Sequence, residues 1–134
     1  MSLFYADTSA LVKLIRREPE SGALVTFLTD ADIVSSELVV AELPRAIRRA
    51  GGTLSRERLL TLSDELLDAV GLLPVDRRVL IAAATLAEPA LRTLDAIHVA
   101  TALSATPIDG FVTYDERQGA AARLCHLRTV APGA

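Results

Sequence analysis

With 134 residues the chain has the length of one ordinary domain, and its 51% hydrophobic but only 4% aromatic content requires a core of Leu, Val, Ile and Ala. A net charge of −3 and a pI of about 5.3 exclude a protein that wraps nucleic acid by bulk electrostatics, so any action on RNA must work through local arginines or a bound cation. The single cysteine, Cys125, excludes an intrachain disulfide, no run reaches the roughly 20 apolar residues of a membrane span, and the N-terminal MSLFYADTSALVKLIRRE lacks the basic-then-apolar order of a signal peptide; a soluble, cytoplasmic protein is expected.

Leu3 to Ala6 is a short apolar run that stops at Asp7, and it reads as a buried strand. Thr8 can cap a helix through Arg17. Pro19 suits the first turn of a second helix, with Leu24, Val25 and Leu28 on one face. Asp32 to Ser35 is a second strand, after which Ser35 or Ser36 can cap a third helix ending at Gly51–Gly52. Pro44 lies inside that helix, removes a backbone donor and crowds the carbonyl of Val40, so the pattern predicts a kink or irregular turn over residues 40–44. Ser55 opens a fourth helix through Val70, whose Leu59, Leu60, Leu62, Leu66 and Leu67 form a mostly core set. Leu72 to Val75 is a strand, Asp76 to Ala87 a helix, Thr93 caps the helix TLDAIHVATALSA, Gly110 to Tyr114 is a strand, Glu116 to Cys125 a helix, and Leu127 to Val130 a last strand. Short apolar strands alternating with helices indicate an α/β fold, one domain over residues 1–134, with a parallel sheet covered on both faces. In such folds chemistry sits outside the carboxyl ends of the strands.

Asp7 follows the strand LFYA and Asp115 follows FVTY, so both fall on that edge. Asp7 can equally begin a turn, and Asp115 can N-cap the next helix. Glu42 has Leu38, Val39, Arg45 and Ala46 as its helical neighbours, which puts it on or beside the buried face. A carboxylate there is costly unless it is paired, with Arg45 or Arg49, or bound to a cation. Asp95 sits in the first turn of the apolar helix LDAIHVATAL; the helix dipole favours an acid there, but not one embedded among Leu94, Ile97 and Val99. A shared divalent cation removes all of these costs. Hard oxygen donors, without a histidine cluster and with one cysteine, point to Mg²⁺ or Mn²⁺.

The segments DTSALVKL, SSELVVAEL, LRTLDAIHVATAL and FVTYDER, in that order, resemble the motifs of PIN-domain ribonucleases, and more narrowly those of VapC-type toxins of bacterial toxin–antitoxin pairs, over nearly the whole chain. The resemblance implies a PIN-like three-layer α/β/α sandwich with a short, mainly parallel sheet. It implies endonucleolytic cleavage of RNA by metal-activated water, dependent on Mg²⁺ or Mn²⁺ and leaving a 5′-phosphate. It also implies a homodimer, and a hetero-oligomer with a cognate VapB-type antitoxin. Asp7, Glu42, Asp95 and Asp115 match the family's acidic quartet as catalytic and metal-binding residues, Asp115 being the acid most variable in its metal contact. Ser9 and Thr113 match its accompanying small hydroxyls.

Arg92, just before Asp95, is a candidate substrate contact. Arg45, Arg48, Arg49, Arg56 and Arg58 could guide phosphates or form a solvated face. His98, one turn after Asp95, could touch the site, but a structural histidine on a semi-apolar face is the favoured reading; His126 reads as exposed and Cys125 as a small buried apolar residue. A phosphotransfer receiver domain would need a late lysine, whereas the only lysine is Lys13. An aspartate-nucleophile phosphatase would need an acid where Ser9 stands, and no GxxxxGK loop occurs. The alternative in kind is a PIN-like domain that binds RNA or protein without cutting.

Overall fold

The computed structural model describes residues Met1–Ala134. In chain order the elements are β1 (Leu3–Ala6), α1 (Thr8–Ile15), α2 (Ser21–Leu28), β2 (Asp32–Ser36), α3 (Val39–Arg49), α4 (Arg56–Asp68), β3 (Gly71–Leu73), α5 (Arg77–Ala84), α6 (Thr93–Ser104), β4 (Gly110–Val112), α7 (Glu116–Leu124) and β5 (Thr129–Val130). The five strands form one sheet in the order β3-β2-β1-β4-β5, and every pair is parallel.

The short strands are apolar on both faces because both faces are covered. Phe4 and Ala6 of β1 point to one side, where they meet Ala10 and Leu11 of α1, Leu24 and Leu28 of α2, and Val39, Leu43 and Ile47 of α3. Tyr5, between them in sequence, points to the other side with Phe111, against Val99 and Ala102 of α6 and Ala121 and Ala122 of α7. A smaller cluster joins Val79 and Ala83 of α5 to Ala96, Ile97 and Ala100 of α6. This is the expected three-layer α/β/α sandwich. Fully burying an aliphatic side chain such as Leu11, Leu43 or Ile47 stabilises the fold by about 1.5–3 kcal/mol.

Several local expectations are corrected. Asp7, not Thr8, is the N-cap of α1; its side chain accepts the Ala10 amide, and Thr8 is already helical. Arg92 rather than Thr93 occupies the N-cap of α6, without a side-chain cap. Ser35 and Ser36 belong to β2, because Ser35 donates to the Ala6 carbonyl across the sheet, and α3 begins after Leu38. Pro19 precedes α2 instead of entering its first turn. Val25 is 54% exposed while Leu24 and Leu28 are buried, since α2 lies on the outside of its layer. In α4 only Leu59 of the leucines is buried, and Leu60 is exposed. Cys125 is only partly buried, whereas His126 is exposed as expected.

The expected irregularity at Pro44 is absent: α3 runs through it from Val39 to Arg49. The bond that Pro44 cannot make would end on Val40, which is 55% exposed, so solvent can replace it. The tightening lies one turn earlier, where the Val40 and Ala41 amides bond three residues back, to Glu37 and Leu38.

Strand order fixes where a site can form. From β1 the chain builds outward through β2 to β3, then crosses back so that β4 lies on the other side of β1. The crevice outside the carboxyl ends of β1 and β4 is the topological switch point, where open α/β sheets bind ligands. Asp7 directly follows β1, and Thr113 to Asp115 follow β4.

Candidate active site

Asp7 is 2% exposed and is surrounded by donors. Ser9 Oγ donates to its Oδ1 at 2.6 Å and the Ala10 amide to the same oxygen at 3.1 Å. Thr113 Oγ1 donates to Oδ2 in a short hydrogen bond. Each hydroxyl is itself oriented, because Ser9 Oγ accepts the Tyr114 amide at 2.9 Å and Thr113 Oγ1 accepts the Asp115 amide at 3.0 Å. Burial raises the Asp7 carboxyl above its usual range even though Ser9, Thr113, His98 and Ala10 pull it down. A carboxylate offers about four acceptor positions, and three are used here.

Glu42, in the first turn of α3, is half-buried and answers to α6. His98 Nε2 lies 2.6 Å from its Oε1, and Thr8 Oγ1 donates to the same oxygen at 3.0 Å. On its other ring nitrogen, His98 Nδ1 is 2.7 Å from the Tyr5 hydroxyl. Burial alone would raise the Glu42 carboxyl, but the His98 hydrogen bond and charge, with Thr8 and Arg49, bring the net shift below the usual range. The partner is thus His98, not Arg45 or Arg49 by a direct ion pair.

Asp95, in the first turn of α6, is partly buried. Its carboxyl is raised, first by burial, then by the negative charge of Asp115, with Glu42 adding to it; His98 and Arg92 oppose. Asp115 is exposed at the N-cap of α7 and accepts the Arg117 and Gln118 amides through Oδ1 at 2.9 and 3.1 Å.

All of Asp7, Glu42, Asp95 and Asp115 line one cavity of about 420 Å³, together with Thr8, Ser9, Arg45, Arg49, His98 and Gln118. The acids share the cavity without converging on one point: no three of them are close enough to form a ready-made ion cage. Hard oxygen donors around a cavity, two of them with raised carboxyls, suit a divalent cation such as Mg²⁺ or Mn²⁺. The PIN domain family profile matches residues 4–124 of the chain, and the chain is 42% identical over 137 residues to the ribonuclease VapC35 of Mycobacterium tuberculosis, covering 98% of each.

This chain belongs to the PIN-domain family, in the VapC group. The fold agrees with that of VapC20 from Mycobacterium tuberculosis, a toxin that cleaves the sarcin–ricin loop, with a TM-score of 0.73 at 17% identity over 96% of this chain and 99% of the other. It also agrees with VapBC2 from Rickettsia felis, solved bound to a fragment of promoter DNA, with a TM-score of 0.70 at 14% identity, covering 97% and 98%.

Within this PIN domain, Ser9 and Thr113 are both hydrogen-bonded to Asp7. Arg92 lies outside the quartet's cavity, in an adjoining cleft of about 820 Å³ that it shares with Asp95, Asp115 and Arg117. Arg45 and Arg49 line the quartet's cavity, and Arg48 lies with them on α3. Sequence reasoning did not place Thr8 and Gln118 at the cavity, and it favoured a structural reading of His98 over a site contact. His98 had a legible signal, being three residues after Asp95 and therefore on the same helical face. Gln118 is 2% exposed and its amide nitrogen has no partner within the protein. Its side chain lies behind the cavity wall, where an unpaired buried donor is uncommon.

Proposed function

We propose that this PIN domain is a divalent-metal-dependent endoribonuclease acting as the toxin of a type II toxin–antitoxin pair. The observation that carries the reading is the joint lining of one cavity, at the switch point of the sheet, by Asp7, Glu42, Asp95 and Asp115. The full-length similarity to a ribonuclease VapC supports RNA as the substrate.

Asp7, Glu42 and Asp95 would hold the cation, with Asp115 joining directly or through water. When bound, Mg²⁺ or Mn²⁺ supplies Lewis acidity for a phosphate oxygen and makes water more acidic. Ser9 and Thr113 keep Asp7 in one rotamer by donating to its two oxygens. Asp95 or Asp115 orients a water for in-line attack and takes its proton as the new P–O bond forms. The P–O3′ bond breaks, the 3′ oxygen takes a proton from solvent, and the products are a 5′-phosphate and a 3′-hydroxyl. Arg92, Arg45 and Arg49 can hold flanking phosphates.

The partners in this reading are a VapB-type antitoxin and a second copy of the chain. The toxin–antitoxin assignments of its structural neighbours support the antitoxin. Leu80 and Ile81, adjacent on α5 and exposed, support self-association. No helix is long and apolar enough to cross a membrane, which is compatible with action in the cytoplasm.

The test is incubation of purified protein with structured RNA in Mn²⁺ or in chelator, with 5′-end mapping of the fragments. Cleavage in Mn²⁺, none in chelator, and loss of at least about 100-fold in Asp7→Ala are expected, the scale of removing a charge-stabilising group from an active site. Metal-independent cleavage, or an Asp7→Ala variant as active as the wild type, would overturn the reading.

A further inference from the structure

We propose that Tyr5 and His98 are positioning residues for Glu42: their buried hydrogen-bonded row holds the carboxylate by Oε1 and leaves Oε2 as the oxygen offered to a divalent cation. This rests on the metal-nuclease reading of the cavity and goes beyond it by assigning a role to residues outside the acidic quartet.

The row starts in the core. Tyr5 is fully buried on β1, with its ring stacked on Phe111 at 5.1 Å between centroids and 14° between planes. Its edge-on packing with His98, at 5.9 Å and 76°, fixes the phenol against the imidazole. His98 is 1% exposed on α6, so neither ring has room to turn. Ser36 and Ser35 end the neighbouring strand, and β1 places Thr8 just beyond Asp7, against the same Glu42 oxygen.

The direction of the protons follows from the partners. A carboxylate oxygen only accepts, so the 2.6 Å bond between His98 Nε2 and Glu42 Oε1 requires the proton on Nε2. Its other ring nitrogen, Nδ1, lies 2.7 Å from the Tyr5 hydroxyl, so the imidazole is held at both nitrogens. Burial pushes the Tyr5 phenol far up, so it stays protonated beside His98. Oε1 thereby receives two donors, His98 Nε2 and Thr8 Oγ1, and Oε2 receives none from the protein. An unanchored glutamate on an exposed helix turn samples many rotamers; this one is held by α6, the helix that also carries Asp95. Outer partners that orient a ligand in this way typically change metal affinity or activity 10- to 100-fold when removed.

A histidine that merely filled space would be replaceable by an aromatic ring of similar size with no effect on metal binding. The experiment compares wild type with His98→Phe, His98→Gln and Tyr5→Phe by calorimetric titration with Mn²⁺ and by steady-state RNA cleavage. His98→Phe should weaken Mn²⁺ binding about 10- to 100-fold and lower kcat with KM for RNA unchanged. His98→Gln, which keeps a donor toward Glu42, should restore most of both. Tyr5→Phe deletes one hydroxyl and should show a smaller loss in the same direction, which also serves if His98→Phe does not fold. In ¹⁵N NMR of the metal-free wild type, His98 should show a protonated Nε2. Mn²⁺ affinity and kcat at the wild-type level in either aromatic variant, or a bare Nε2 on His98, would overturn the inference. Wild-type protein that binds no Mn²⁺ would instead sink the metal-nuclease reading and this role with it.

Discussion

At Asp95 and Asp7 the protein keeps carboxylates where burial works against their charge, and at Asp95 the neighbouring Asp115 and Glu42 add repulsion. A carboxyl raised in the folded state binds its proton more tightly than in the unfolded chain. Its stabilising contribution is therefore complete below the ordinary carboxylate range and is lost as pH rises through the raised value. Glu42 behaves in the opposite sense: its lowered carboxyl contributes above the ordinary range, and that contribution is lost on acidification through the lowered value. Metal-free protein should accordingly lose stability from Asp7 and Asp95 as pH rises from the ordinary carboxylate range through their raised values. Asp95→Asn should raise the neutral-pH melting temperature of the metal-free protein by a few degrees and flatten this slope, while abolishing cleavage. A variant that melts lower than the wild type at neutral pH would contradict the repulsion on which this rests. Stability gained by removing a site residue is the expected trade in a functional pocket.

Among the elements, α3 and α6 carry the site between them. α3 presents Glu42 with Arg45 and Arg49, and α6 presents Asp95 and His98 three residues apart. Their existence was legible from hydrophobic spacing and from Gly51–Gly52, which take positive φ where the third helix stops. Their starts were not, because Ser35, Ser36 and Thr93 look like caps in sequence, yet Ser35 is drawn into the sheet by the Ala6 carbonyl and Thr93 lies inside its helix. Pro44 looked disruptive because a local rule counts the lost bond without knowing that Val40 faces solvent. Pro44→Ala restores that bond and should stabilise the protein by about 1 kcal/mol, the net worth of one backbone hydrogen bond. Urea unfolding checks it, and a lower midpoint in the variant would show that the rigidity of the proline outweighs its missing donor.

For the molecule as a whole, the sheet order β3-β2-β1-β4-β5 brings the turn after β1 beside the turn after β4, and the quartet assembles there across the full length of the chain. Four carboxylates around one cavity leave the metal-free fold below its attainable stability. A cation that binds only the folded state should add about 2.7 kcal/mol at a concentration 100 times its Kd. Melting curves in saturating Mn²⁺ and in chelator should therefore differ by several degrees, and coincident midpoints would speak against the cation site.

The sequence by itself determined the alternation of strands and helices, the covered parallel sheet, the four acids with Ser9 and Thr113, and the family, because apolar periodicity and ordered motifs are local properties of the chain. The tertiary structure alone decided which distant donors Glu42 and Asp7 meet. Glu42 finds His98 at a separation of 56 residues, His98 finds Tyr5 at 93, and Asp7 finds Thr113 at 106. Local spacing can reveal that a carboxylate is buried, but its partner is set by strand order and helix packing, which bring distant segments within hydrogen-bond reach. For that reason His98 reads as a core histidine in the sequence and stands as the direct partner of Glu42 in the fold.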